Sequence, residues 1–462
     1  MVLKLIEGPR RRWLAAAAVM LLAWMAGFLG ARLAWNTVSP PPDLDGLDEV
    51  AGLPVPRVAF DGYPQHRALL EELAQVAGRM VRSFPTDASA VAALAMVHNL
   101  AHDDAGEVAC WRRCLELDPA FLPAYSNLST RAANKGEYQE AEVLLREAMR
   151  LPGASPSFSE LLATVLMSEG KSQEAAQTLE NAMADRPPAA RTLVQLGEVY
   201  LQLKEYQKAK TQFERAIQID RSSSRAYHGL ARACDRLKAT QEAEKCRAEF
   251  ARLKKAEDQA ARTGIDKIAD QRVVPDRAAQ ILTTAANVYS SQLQFDTAER
   301  YLKQAAGLSP DDVTCRAALA ELYGTQGRLE EALAAVEELR RIEPRNLVHA
   351  RSLGILQGRL GRWESAETTF RDLCALAPAR AVGYAGLAES FLRTGKQLPL
   401  ARTLAAKAAG LDPSAWNHFI LAAICEQQGD RSAARKALEK AIFLDPGNSQ
   451  YRQLYATIEG KN

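Results

Sequence analysis

No Cys-x-x-Cys and no Cys-x-x-Cys-His occurs in this 462-residue sequence, which excludes a zinc ribbon or c-type haem site of the usual spacing. Gly-x-Ser-x-Gly, His-Glu-x-x-His, a phosphate-binding loop and a dinucleotide-binding glycine run are missing as well, so the common hydrolase, metalloprotease and nucleotide signatures are absent. The histidines number only 6 and are scattered. A surplus of one charge sign is also lacking: 58 Lys and Arg stand against 56 Asp and Glu, a net +2. Lys4, Arg10, Arg11 and Arg12, opposed only by Glu7, account for that surplus. The remainder is close to neutral, which argues against nucleic acid as a partner. Aromatic residues make up 6% of the chain, while 47% is hydrophobic and 25% charged. That is an ordinary folded composition, and its abundant alanine suits closely packed helices. The expectation is no enzyme, no cofactor, no metal and no small-molecule substrate.

One long apolar run is present. Residues 13–31 contain no charged side chain, and continuing to Trp35 gives a stretch of about 35 Å as a helix, against a hydrocarbon core of about 30 Å. Arg32 lies near its end, where it can snorkel, and Trp13 and Trp35 flank it as interfacial aromatics do. Arg10, Arg11 and Arg12 precede the run; Asp43, Asp45, Asp48 and Glu49 follow it. The positive-inside rule then places the N-terminus in the cytoplasm and the rest outside, in the periplasm of a bacterial envelope. The competing reading, a cleaved signal peptide, is opposed by the length of the run and by the poor cleavage site at Leu29, Gly30 and Ala31.

Residues 190–223 organise the rest. They hold two amphipathic helices: Leu193, Leu196 and Tyr200 share one face, and Ala209, Phe213 and Ala216 share another. This resembles the tetratricopeptide repeat, in which position 8 is small, 20 is Ala, 24 is aromatic or Leu, 27 is Ala and 32 is Pro. Here those places hold Gly197, Ala209, Phe213, Ala216 and, off pattern, Arg221. The period repeats from Ala88, Leu122, Pro156, Ala190 and Ser224, then from Ala279, Val313, Leu347, Ala381 and Ala415. Position 20 reads Glu107, Ala141, Ala175, Ala209, Ala243, Ala298, Ala332, Ala366, Ala401 and Ala434. One inserted residue disturbs the count near Ala401. Glu107 is expected to weaken the contact between the first repeat's helices.

The resemblance implies an all-α, right-handed α-solenoid of about ten helix-turn-helix repeats, preceded by one transmembrane helix. The expected organisation is a basic cytoplasmic tail (1–12), a signal-anchor helix (13–35), a Pro-rich spacer (36–60) and an N-terminal capping helix (61–87). Five repeats (88–257), an insert or helical extension (258–278), five more repeats (279–448) and a C-terminal capping helix (449–462) follow. Gly264 and Pro275 are read as breaks within the insert.

The resemblance further implies that repeat positions 2, 5, 9 and 12–13 face a concave, partner-binding groove. In the repeat from Ser224 these are Arg225, His228, Arg232, Asp235 and Arg236. The arginines form a stripe suited to carboxylates or phosphate; the plainer reading is a solvated helix face. The Lys and Asn pair by which chaperone-binding members hold a C-terminal carboxylate occurs at positions 5 and 9 of no repeat. His98, His102, Cys110 and Cys114 have helical i, i+4 spacing, but repeat register sets the two pairs too far apart for one zinc ion. Register likewise separates Cys234 from Cys246, so the cysteines read as small core residues. The expected function is a membrane-tethered scaffold binding protein or peptide segments in its groove. The alternative is a non-catalytic subunit of an envelope biogenesis, secretion or polysaccharide-export complex.

Overall fold

The computed structural model describes residues 49–50, 52–54, 66–184, 188–260 and 266–460. The expected membrane span at 13–35 lies outside these residues, as does most of the spacer. Among the described residues no helix is long and apolar enough to cross a membrane. Two strands of two residues, β1 (Glu49–Val50) and β2 (Leu53–Pro54), precede the helices.

From residue 66 onward the described chain is an all-α solenoid of 22 helices. Helix α1 (Arg67–Ser83) comes first. Five hairpins follow as a first array: α2 (Ala88–Leu100) with α3 (Asp104–Leu117), α4 (Leu122–Lys135) with α5 (Tyr138–Arg150), α6 (Pro156–Ser168) with α7 (Ser172–Ala184), α8 (Ala190–Gln202) with α9 (Tyr206–Ile219), and α10 (Ser224–Arg236) with α11 (Thr240–Ala260). The second array pairs α12 (Asp266–Ser291) with α13 (Phe295–Leu308), α14 (Val313–Thr325) with α15 (Leu329–Ile342), α16 (Leu347–Arg359) with α17 (Trp363–Leu376), α18 (Ala381–Thr394) with α19 (Leu398–Leu411), and α20 (Ala415–Gln427) with α21 (Arg431–Leu444). Helix α22 (Ser449–Glu459) lies against α20 and α21.

Each hairpin turns at the same place. The fifteenth residue of every repeat has positive φ: Gly136, Gly170, Gly327, Gly361, Gly395 and Gly429, but also His102, Lys204, Lys238 and Leu293. At nine of these turns the next amide donates to a carbonyl of the first helix, as Glu205 N does to Tyr200 O at 2.9 Å and Gln294 N to Tyr289 O at 2.9 Å. This closes the helix end. The inserted residue is at the turn between α18 and α19. There Lys396 and Gln397 separate Gly395 from the second helix, and Gln397 adopts positive φ too. The loop before α20 is one residue shorter, which restores the register.

The nine alanines at position 20 are all fully buried. Glu107, the exception, is buried but does not weaken its hairpin as expected. It accepts hydrogen bonds from Trp111 Nε1 at 3.2 Å and Asn99 Nδ2 at 3.1 Å, and it pairs with Arg131 of the next repeat. A buried carboxylate is tolerable once donors surround it. The small residue needed for close approach has moved to Gly106, where a Cβ would come within 2.2 Å of His98 Nδ1. All seven cysteines are free thiols, and burial pushes those of Cys110 and Cys114 up to about 12. They behave as core atoms.

The stack differs from the expected order at two points. Helix α12 is continuous through Pro275, the expected break. Val274, Ala278, Ala279, Ile281 and Leu282 are buried around it, and that packing offsets a lost hydrogen bond and ring clash that together cost about 3 kcal/mol. Helix α12 also finds its stacking partners at the start of the first array, on α1 and α2. Phe84, just past α1, meets Tyr289 of α12 edge-on with ring centroids 5.4 Å apart, and Gln304 Nε2 of α13 donates to Glu72 Oε1 of α1 at 3.1 Å. Helix α1 is therefore no end cap. It is an inner wall shared by the first hairpins of both arrays.

Candidate functional site

Within each array the first helices of successive hairpins touch one another, α6 with α8, α8 with α10, α16 with α18 and α18 with α20, and so line one face. Along the first array this face is largely self-neutralised. Glu160 accepts from Thr192 Oγ1 at 2.7 Å and pairs with Arg191 at 3.3 Å, and Gln195 Nε2 donates to Thr164 Oγ1 at 2.8 Å.

The residues expected from sequence sit at the far end of that array. Arg225, His228, Arg232, Asp235 and Arg236 are all exposed on α10. The structure does not leave them as one uniform stripe. Arg225 pairs with Glu198 of the preceding repeat at 3.3 Å. The His228 ring lies 5.0 Å from that of Phe250 on α11. Asp235 is held by Arg247, 2.5 Å from each carboxylate oxygen. Arg232 and Arg236 have no ion-pair partner among the described residues.

A better-formed site, missed in the sequence, opens in the second array. A cleft of about 500 Å³ lies between α16, α17, α18 and the start of α20. Its floor is Phe370, packed between two glycines: a Cβ on Gly354 would come within 2.6 Å of the ring, and one on Gly386 within 2.4 Å. The first array repeats this arrangement with Phe213 between Gly197 and Gly229. The two differ at position 12. Leu201 fills that place in the first array and packs on its core, whereas the second has Gly358. A Cβ there would come within 2.9 Å of Trp363 Cζ3. Gly358 therefore admits the indole as one wall of the cleft.

The other walls are apolar and charged together. Ile355 and Trp416 are each 42% exposed. Trp416 is braced from behind, its ring 5.5 Å from Phe419, which lies 4.9 Å from Tyr451 of α22. Arg393 sits with its guanidinium carbon 5.8 Å from the Trp363 centroid and reaches Glu389 at 3.6 Å. Burial pushes the Glu389 carboxyl up, and Arg393 offsets part of that rise. Arg359, also lining the cleft, has no ion-pair partner among the described residues. Exposed aromatic and aliphatic surface thus lies beside two guanidinium groups, the residue types enriched at protein interfaces. Among the described residues no cluster of His, Cys, Asp and Glu could hold a metal ion.

Comparison with known proteins bears on the repeats. Tetratricopeptide repeat family models match residues 166–234, 291–353, 124–151 and 417–448, stretches that fall on the hairpins of both arrays. These stretches of the chain are tetratricopeptide repeats. Among curated proteins it is 26% identical over 133 residues to anaphase-promoting complex subunit 3 of Schizosaccharomyces pombe, a match covering 29% of this chain and 20% of that one. The chain thus spans about a fifth of the length of that relative. Similar solved structures include yeast Tom70 (15% identity, 87% of this chain and 93% of that chain, TM-score 0.33). The Cut9–Hcn1 hetero-tetramer of APC/C is similar at 15% identity, 83% and 92% coverage and a TM-score of 0.35. YrrB, described as having an unusual peptide-binding site, is 19% identical over 41% of this chain and 96% of its own, with a TM-score of 0.34.

Proposed function

We propose that this chain is a membrane-tethered, non-catalytic tetratricopeptide repeat scaffold that holds segments of partner proteins on the inner faces of its arrays. Tetratricopeptide repeat proteins bind protein and peptide partners, and their family is typically non-catalytic. The observation that carries the reading is the second-array cleft, where Ile355, Trp363 and Trp416 expose apolar surface beside Arg359 and Arg393. Such surface is costly to leave open in water, and aromatic and arginine side chains dominate binding energetics at interfaces. Tethering rests on the charge-free run at residues 13–31, with the repeats on the non-cytoplasmic side.

Three measurements test this. Gly358→Leu restores the side chain that the first array has at the same place and fills the cleft. Crosslinked partners recovered from membranes with the wild type are expected to be lost with this variant while helical content is unchanged; undiminished recovery sinks the cleft as the site. Deleting residues 1–35 is expected to release a soluble helical chain, and continued sedimentation with salt-washed membranes counts against the tether. A reporter fused after Asn462 that is active in the cytoplasm reverses the topology. The fixed-subunit reading draws on the name of the curated relative, itself a complex subunit. It predicts a stoichiometric partner in that recovery in place of a substoichiometric one.

A further inference from the structure

Resting on the groove-binding reading, we infer that the second-array cleft selects acidic polypeptide segments carrying an aromatic or long aliphatic anchor. The anchor lies on Ile355, Trp363 and Trp416, and the flanking carboxylates lie on Arg359 and Arg393. The charge arrangement makes this choice. Two guanidinium groups line the cleft against one carboxylate. That carboxylate, Glu389, is the group whose ionised form burial disfavours, and its pairing with Arg393 is loose at 3.6 Å. An incoming carboxylate therefore meets a site with one more guanidinium than carboxylate, and Arg359 has no ion-pair partner among the described residues. Guanidinium groups bind carboxylates in a planar, two-bond fork, and stacking on Trp363 holds that of Arg393 in place.

The bias continues along the same face of α16. Val348, Arg351, Ile355 and Arg359 recur at helical spacing, an apolar and basic alternation in which Val348 is 66% exposed. Arg351 is exposed and has no ion-pair partner among the described residues. In the first array Glu160 and Glu198 already occupy Arg191 and Arg225, and the unpaired Arg232 and Arg236 share their stripe with His228 and Asp235, with no apolar residue at that spacing. A basic or neutral segment finds no carboxylate free to receive it in the cleft and leaves Arg359 without a partner.

The test is selection from a random 12-residue peptide display library on the immobilised full-length chain, followed by affinity measurement of the recovered peptides. Enrichment of Asp and Glu around an aromatic or aliphatic residue is expected. Arg359→Ala with Arg393→Ala should weaken those peptides by about tenfold, and Trp416→Ala should weaken them comparably. The loss should shrink at high salt, where exposed charges are screened. Arg232→Ala with Arg236→Ala, in the first array, should change nothing. Peptides without acidic bias that still depend on Trp416 overturn the charge inference and leave groove binding standing. Acidic peptides that depend on Arg232 and Arg236 overturn the placement in the second array. No recovery above the bare matrix counts against groove binding itself, and the inference falls with it.

Discussion

Leu293 turns its hairpin in a conformation made for glycine. Its φ is 58°, and 75% of its surface is exposed, so it contributes strain without much packing in return. A left-handed L-residue costs roughly 1–2 kcal/mol, part of which glycine's greater unfolded freedom cancels. Leu293→Gly is therefore expected to stabilise the chain by up to about 1 kcal/mol, measured as a higher denaturation midpoint; an unchanged or lower midpoint removes the argument. The same scale shows what single residues made legible. Alanine at position 20 announced the helix contacts, because a hairpin that close admits nothing larger. Glu107 broke that rule and was misread, since its partners Asn99, Trp111 and Arg131 come from three helices. No local pattern states that a buried charge will find its donors.

At the scale of the element, hairpins are tied to their neighbours by shared polar clusters. Glu299 of α13 accepts from Tyr323 of α14 at 3.0 Å and pairs with Lys303 at 2.6 Å and Arg328 at 2.5 Å. Arg328, chiefly, holds the Glu299 carboxyl down to about 2, with its guanidinium 4.4 Å from the Tyr323 ring centroid. Because the folded value is depressed, this cluster contributes fully above the ordinary carboxylate value of 4.5. Its contribution fades as pH falls from there towards about 2,. Glu299→Gln should therefore be less stable than wild type at neutral pH, with the gap closing across that window; a gap that stays constant would place the stabilisation elsewhere. The cleft is also an element-scale object. Gly354, Phe370 and Gly386 follow a spacing that the first array shares, so its floor was readable from the repeats. Its walls were not, because Trp363, Arg393 and Trp416 come from three different repeats. Their convergence depends on the rotation between neighbours. The arginines of α10 were conspicuous in sequence because they lie within one helix.

For the repeat region as a whole, the period predicted ten hairpins in order, and the structure joins them differently. Stability in a linear stack passes from neighbour to neighbour, so a lesion in one array should stay near its own repeat. Ala209 is fully buried at the contact between α8 and α9, and Ala209→Leu is expected to cost about 1–3 kcal/mol by overpacking, with faster amide exchange confined to the hairpins beside it. Helix α1 breaks that rule by touching both α2 and α12. Leu73, fully buried on α1, supports the junction from which both arrays start. Leu73→Ala should cost about 2–5 kcal/mol. Its signature should be accelerated exchange in α2 and α12 together, although 165 or more residues of chain separate them. Both helices rest on the wall that loses the side chain, so neither can keep its protection while the other loses it. Exchange accelerated in α2 alone would reduce α1 to a cap on the first array and leave the second array standing by its own stacking.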